Sequence, residues 1–405
     1  MTAALIGYGA WLRIQRLAEP PRLFWDEHHF VENARNYLAG KPDWNDHPPL
    51  GKLLIAVPMH VLGDDSFAWR LAPLLAGLAI VIYLGLLVHW ATQDKAAALL
   101  AAAIVSVDGF FICYSRTALL DGMLAACCLA AITTALRAKT SVGLAVASAL
   151  LGSACNIKFS AVVFVPALIA IVLSSRGGWS RLVVPWLAPI AYFAWYSLGL
   201  WLTHQECGPG AVVDATTRLL AHHAQLTEWK HPLCSHWYTW FLPTRPVTLR
   251  DDPTSDGRLE VLSSMGNPVV WWWVDAVLLV ALGLALRRGL RALRRGRADA
   301  RARWEDFRRT PFARQLLIAA LWSLPIAPWI FSRRDSYIYH YLLAYVFGVA
   351  LLGSVLGALY RKRPLAALLG LTLIGVVGVY FAPVWGELPI TQRGFEQRLF
   401  VPSWR

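Results

Sequence analysis

The chain has 405 residues, of which 57% are hydrophobic and 16% charged, and a mean hydropathy of +0.46. That composition excludes a soluble globular domain and fits an all-α polytopic membrane protein. The formal net charge of +13 would suit a nucleic-acid partner, but the basic residues fall in short segments between apolar runs. Retention of loops on the cytoplasmic side accounts for them, and no nucleic-acid partner is expected.

In chain order, the first apolar stretch runs from Thr2 to Ala18 and is interrupted by Arg13 and Arg16. It spans if the arginines snorkel to the far interface, and its shortness points to an N-terminus lying further upstream. Ten longer runs follow, near 70–90, 96–114, 118–136, 142–157, 159–175, 182–202, 269–286, 314–331, 338–359 and 364–381, each near the length of about 20 residues that a bilayer requires. Eleven spans with a cytoplasmic N-terminus put the links near 91–95, 137–141, 174–181, 287–313 and 361–363 inside. Two of these, "RRGLRALRRGRADARARWEDFRR" and "RKR", obey the positive-inside rule. The opposite side then holds the outer loops 19–69 and 203–268, the link "SRRDSYIYH" and the tail "APVWGELPITQRGFEQRLFVPSWR". The chain reads as one membrane domain, 1–405. No internal repeat or paired broken helices of the kind found in inverted-repeat transporters stand out.

Polar chemistry collects on that outer side. Asp26 and Glu27 follow the apolar "LFW" and precede a helix, "HHFVENARNYLAG", that Gly40 stops. Adjacent carboxylates point in different directions, so one would serve as a general base and the other would orient a neighbour. The plainer reading is an acidic pair favoured by the helix dipole. In "DHPPLGKLL", Pro49 or Leu50 starts a helix with His47 and Lys52 near its beginning, an arrangement suited to a phosphate. Further charges enclosed by apolar sequence are Arg116 and Asp121 in "SRTALLDG", Lys158 in "ACNIKFSA", and Arg333, Arg334 and His340 in "SRRDSYIYHY". Such charges need a partner or a polar cavity. Cations beside two carboxylates suit a site that holds an anionic leaving group while a base activates a nucleophile. His222, His223, His231 and His236 invite a metal reading, but their spacing is not that of a helical i, i+4 ligand pair. Cys207 and Cys234 are the only cysteines in a polar segment, where a disulfide is conceivable.

These motifs resemble those of the protein O-mannosyltransferase family. "FWDEHHF", "HPPLGKLL", "SRTALLDGML", "ACNIKFSA", "HPLCSHWYTWFLPTRPV", "MGNPVVWW" and "YIYHYLL" follow one another in the family's order. The resemblance implies a GT-C glycosyltransferase fold of about eleven transmembrane helices with its chemistry on the outer face. It also implies a polyprenyl-phosphate-mannose donor, a Ser/Thr-containing polypeptide acceptor, and inversion at the anomeric carbon. Asp26 would be the base, and Glu27 would place Asp26 or the acceptor. His47, Lys52, Arg116, Lys158, Arg333, Arg334 and His340 become candidates for the donor phosphate, with His29 and Asp121 structural or on the acceptor side. No metal cofactor is required, although His28 beside the acid pair leaves open a metal bridged by Asp26 and His28. The absence of room for large sugar-recognition repeats points to a bacterial type in the inner membrane, surrounded by membrane lipids. The nearest alternative keeps the fold and moves sugar to a lipid or glycan acceptor. A transporter or scaffold is a third reading, and it leaves the acid pair followed by "HPPLGK" unexplained.

Overall fold

The computed structural model describes residues 1–42, 46–175, 180–226, 231–294, 306–308, 310–334 and 336–404. Its helix boundaries follow local signals. From the N-terminus come α1 (Thr2–Ile14), α2 (Glu27–Leu38) and α3 (Leu50–Leu62), then α4 (Ser66–Thr92) and α5 (Lys95–Ser106). Asp65 starts α4 by accepting from the Ala68 amide at 2.8 Å, and Asp94 starts α5 by accepting from Ala96 at 2.8 Å. Both are N-caps in extended backbone that satisfy an otherwise orphaned donor. The short α6 (Gly109–Cys113) leads to α7 (Leu120–Arg137), α8 (Ser141–Ile157), α9 (Val165–Ser174), α10 (Ser180–Val183) and α11 (Leu187–Leu202). The segment between α11 and the next long helix carries α12 (Pro209–Gln225) and an antiparallel hairpin, β1 (Thr248–Pro253) with β2 (Leu259–Ser263). The chain closes with α13 (Pro268–Arg294), α14 (Pro311–Ser323), α15 (Ala327–Phe331), α16 (Leu342–Lys362), α17 (Pro364–Trp385) and α18 (Gln392–Glu396).

Among the described residues, six helical segments are long and apolar enough to cross a membrane: Ser66–Thr92, Leu120–Arg137, Pro268–Arg291, Pro311–Phe331, Ile338–Lys362 and Pro364–Trp385. The other expected spans are shorter or broken. The run at 96–114 is interrupted at Asp108, which caps α6 through Phe110 N at 3.0 Å. Its other oxygen accepts from Asn267 N at 3.0 Å and from the Tyr345 hydroxyl at 3.1 Å. A carboxylate buried here is tolerated because three donors converge on it. The run at 159–175 begins as a 3-10 turn, Phe159–Phe164, before α9.

Arg13 does not snorkel. It is fully buried and donates to the carbonyls of Gly9, Ser106 and Val105 at 2.8, 2.7 and 3.2 Å and to Ser115 Oγ at 3.3 Å. The carbonyls at the end of α5 have no partner within the helix, and a guanidinium is the side chain best shaped to collect them. The centre of the molecule is α16, buried along most of its length. It approaches α5 closely because Gly353 and Gly357 face Ala101 and Ala97; a Cβ on either glycine would fall 2.4 or 2.2 Å from the alanine Cβ.

The links sort onto two sides. Asp94 and Arg361, from the links near 91–95 and 361–363, form an ion pair at 2.5 Å, and Arg314 donates to the Trp90 carbonyl at 2.7 Å. On the other side, the first loop, the hairpin and the tail form one polar cap. Arg16 pairs with Glu260 at 2.5 Å and Arg22 with Asp252 at 2.6 Å. Leu259 bridges Ile390, and Trp404 Nε1 donates to the Pro243 carbonyl at 2.6 Å.

Candidate active site

The first loop is held in shape by Arg70, which projects from the first turns of α4 and is fully buried. Its guanidinium meets both carboxylate oxygens of Glu27, at 2.9 and 3.0 Å. It also gathers the carbonyls of Leu17, Glu19, Pro20 and Arg22 at 2.9 to 3.2 Å. Glu27 accepts in addition from the Ala118 amide at 2.9 Å. Pinned in this way, the backbone carries Trp25 at φ 48°, a left-handed conformation that costs a bulky residue about 1–3 kcal/mol and persists only where its surroundings enforce it. The next residue is Asp26.

Asp26 faces a cavity of about 380 Å³ whose wall includes His29, Asp46, His47, Asp121, Lys158, His223, Arg334, Tyr339 and His340. Burial raises the pKa of Asp26, while His29 and Lys158 pull it down and Asp121 and Asp46 push it up. A carboxylate with a raised pKa is a stronger base than a free one. Lys158 ends α8, and its Nζ lies 2.9 Å from each oxygen of Asp121 and 5.5 Å above the Tyr339 ring. The wall also carries His47, His223, Arg334 and His340. His47 stacks on Phe30 and lies 5.4 Å from the His223 ring. Burial, followed by the charges of Lys158 and Lys52, holds His47 well below the ordinary histidine value, so its ring is neutral. Arg334 Nη1 lies 3.1 Å from His223 Nδ1. His340 packs 4.3 Å from Trp329 and accepts the Tyr337 amide at Nδ1 at 3.1 Å. The rest of the wall is apolar, with Val162, Val163, Pro325, Pro328, Trp329, Leu342 and Leu343 among its members.

Of the residues singled out in the sequence, Asp26, His29, His47, Asp121, Lys158, Arg334 and His340 therefore share one cavity. Four others do not line it. Glu27 is buried against Arg70. Lys52 is buried in α3, where its Nζ donates to the His47 carbonyl. Arg116 is buried and donates to Glu387 Oε2 at 2.8 Å and to the carbonyls of Leu12, Arg13 and Gln15 at the end of α1. Arg333 is exposed. The start of α3 is not an open phosphate cradle either, because the Leu50 amide is taken by Asn156 Oδ1 at 3.0 Å. Cys207 and Cys234 are not joined by a disulfide.

The four histidines of the metal reading separate. His223 lines the cavity, His231 packs between Trp25 and Tyr337, His236 stacks on Tyr238, and His222 lies 5.7 Å from His223. His28 is exposed on α2 and is not part of the wall that contains Asp26. Sequence reasoning gave no role to Arg70 or Glu387 and offered His223 only as a metal ligand. The one sequence signal for the first two was a charge hard against an apolar run.

A family model described as dolichyl-phosphate-mannose-protein mannosyltransferase matches residues 4–202, and one described as the C-terminal four TMM region of protein-O-mannosyltransferase matches residues 211–404. A polyprenol-phosphate-mannose--protein mannosyltransferase of Mycobacterium tuberculosis is 25% identical, across 98% of this chain and 89% of the relative. The protein of the same name from Mycolicibacterium smegmatis is 24% identical, across 100% and 92%. Among solved structures, the Saccharomyces cerevisiae Pmt1-Pmt2 complex bound to the sugar donor superposes with a TM-score of 0.80 at 13% identity, covering 100% of this chain and 92% of the other. ArnT from Cupriavidus metallidurans gives 0.57 at 16% identity, covering 95% and 64%. These structural likenesses are likenesses of fold, and they agree with the GT-C architecture expected from the motifs. With two models of one family that leave only residues 1–3, 203–210 and 405 unmatched, the chain belongs to the protein O-mannosyltransferases.

Proposed function

We propose that this chain transfers mannose from a polyprenyl phosphate to serine or threonine hydroxyls of proteins, with Asp26 as the base. The observation that carries this reading is the make-up of the cavity wall. Asp26, to which no described side chain donates, shares that wall with His47, Lys158 and Arg334.

In the reaction, the acceptor hydroxyl gives its proton to Asp26 as its oxygen forms a bond to the anomeric carbon. The bond from that carbon to the phosphate oxygen breaks, and its electron pair leaves with the polyprenyl phosphate. Attack opposite the leaving group inverts the anomeric centre. The charge gained by the phosphate falls near Arg334 and Lys158, whose N–H groups are the charge-assisted donors such a leaving group needs. His47, held neutral, offers a further polar contact without a charge. The apolar wall of Val162, Val163, Pro325, Pro328 and Trp329 receives the first isoprene units beside the phosphate. Glu27 acts through Arg70 by fixing the loop that presents Asp26. The polar cap and the cavity face the outside of the bacterial inner membrane, where acceptor proteins emerge.

The test is transfer of radiolabelled mannose from polyprenyl phosphate mannose to a Ser/Thr-rich peptide, using membranes with the intact chain and with Asp26→Asn at matched expression. General-base catalysis contributes about 10²–10⁴-fold, so the variant loses transfer by at least about a hundredfold. Equal activity in the two would remove Asp26 from the mechanism. Transfer to a lipid or glycan and not to peptide would leave the fold standing and replace the acceptor.

A further inference from the structure

His223 comes from α12, far in sequence from the two groups it touches. On one edge its Nδ1 faces Arg334 Nη1 at 3.1 Å, and on the other its Nε2 faces the Asp46 carbonyl at 2.7 Å. A guanidinium N–H only donates and a carbonyl only accepts. The tautomer is thereby fixed: Nδ1 carries the lone pair that receives Arg334, and Nε2 carries the hydrogen that goes to Asp46. A doubly protonated ring would turn a donor toward Arg334 and break the contact. Burial and the Arg334 charge bring the pKa of His223 down to about 4, so the neutral ring is the state present at working pH.

We propose that His223 is a positioning residue: a neutral Nε2–H imidazole that aims Arg334 at the anionic leaving group and ties it to the loop bearing His47. The proposal rests on reading the cavity as a polyprenyl-phosphate site. An arginine has a long, flexible stem and a planar fork that is useful only when oriented. His223 supplies one fixed acceptor for that fork. Through Asp46 it also joins the fork to the residue just before His47, whose ring lies 5.4 Å away. Three segments distant in sequence, the first loop, α12 and the 332–341 link, are thus brought into register at one point.

Two near-isosteric variants separate the halves of this contact. Asparagine can place its amide oxygen where Nδ1 was and keep the acceptor for Arg334. Glutamine reaches the position of Nε2 and keeps only the donor to Asp46. The experiment measures binding of undecaprenyl phosphate to the purified full chain in nanodiscs for the wild type, His223→Asn, His223→Gln and His223→Ala. It is paired with kcat and KM for mannosyl transfer, and melting temperatures establish that each variant is folded.

His223→Asn is expected to bind within about threefold of wild type, and His223→Gln and His223→Ala about tenfold more weakly. The same factors should appear in donor KM, with acceptor-peptide KM unchanged, because loss of a hydrogen bond to a charged group is of that size. The proposal is overturned if asparagine is as damaging as alanine, if glutamine rescues and asparagine does not, or if all three variants bind as wild type. An unfolded alanine variant leaves the asparagine and glutamine comparison to decide. Binding that follows the expected pattern in a chain that transfers no mannose would refute the transferase reading and keep His223. Transfer without the pattern would refute His223 alone, and a wild type that binds no undecaprenyl phosphate would refute both.

Discussion

Asp26 works against two opposing fields, and the pH dependence of the reaction reports their balance. Burial lifts its pKa above the ordinary 3.8, and Lys158 opposes that lift. The base must be ionised, so kcat/KM falls on the acid side with a midpoint above 3.8. Replacing Lys158 with glutamine removes a lowering influence, and the midpoint moves to higher pH. A pH–rate profile of Lys158→Gln that shifts toward acid would contradict this picture. At this scale the sequence named Asp26, Asp121, Lys158 and Arg334, which line the cavity, but passed over Asp46, which also lines it, and named Lys52, Arg116 and Arg333, which do not. Lys158 and Arg116 look alike in sequence, each a cation beside an apolar run. What separates them is that Arg116 meets a carboxylate 271 positions away, a pairing that local pattern cannot show.

Elements were legible in kind and less so in continuity. The helix before Gly40 and the helix after Pro49 lie where their caps and stop signals put them. The break at Asp108 was missed because the residues around it are apolar throughout, and the reason for it lies in Asn267 and Tyr345. The "MGNP" motif is thus explained as a structural pin. Asn267 accepts from Val269 N at 3.1 Å through Oδ1 and donates to the Ile374 carbonyl at 3.0 Å through Nδ2, joining the broken span to α13 and α17. The close approach of α5 and α16 is a packing device with a sharper consequence. A side chain at Gly357 would have to enter Ala97, so Gly357→Leu should part the two helices. Overpacking of this kind costs about 1–3 kcal/mol or more, and a thermal melt of the purified variant in detergent should fall by several degrees. An unchanged melt would mean that the helices do not pack as described.

At the scale of the whole molecule, links distant in sequence meet in two groups. Those at 91–95 and 361–363 meet on one side, and the first loop, the hairpin and the tail meet on the other. The sequence offers eleven apolar runs with basic links between them, and among the described residues six helices meet the length and composition of a full span. Placing the cap outside gives a direct test. Asp256→Cys, at the exposed hairpin turn, should react with an impermeant maleimide added to intact cells. Lys362→Cys, at the other face, should react only after lysis, and the reverse pattern would invert the orientation.

Glu387 has a bearing on the order in which the protein is made. Its carboxylate neutralises two arginines at once, Arg116 at 2.8 Å and Arg250 at 2.6 Å, and both are in place long before the ribosome reaches it. Until then Arg250 has Asp252 and Glu260 beside it, whereas the buried Arg116 stands without the carboxylate it meets in the finished chain, a state several kcal/mol above the finished one. A nascent chain stalled before residue 387 should therefore carry an unlatched cap and be a ready substrate for membrane quality-control proteases, whereas the finished chain closes the latch and becomes resistant.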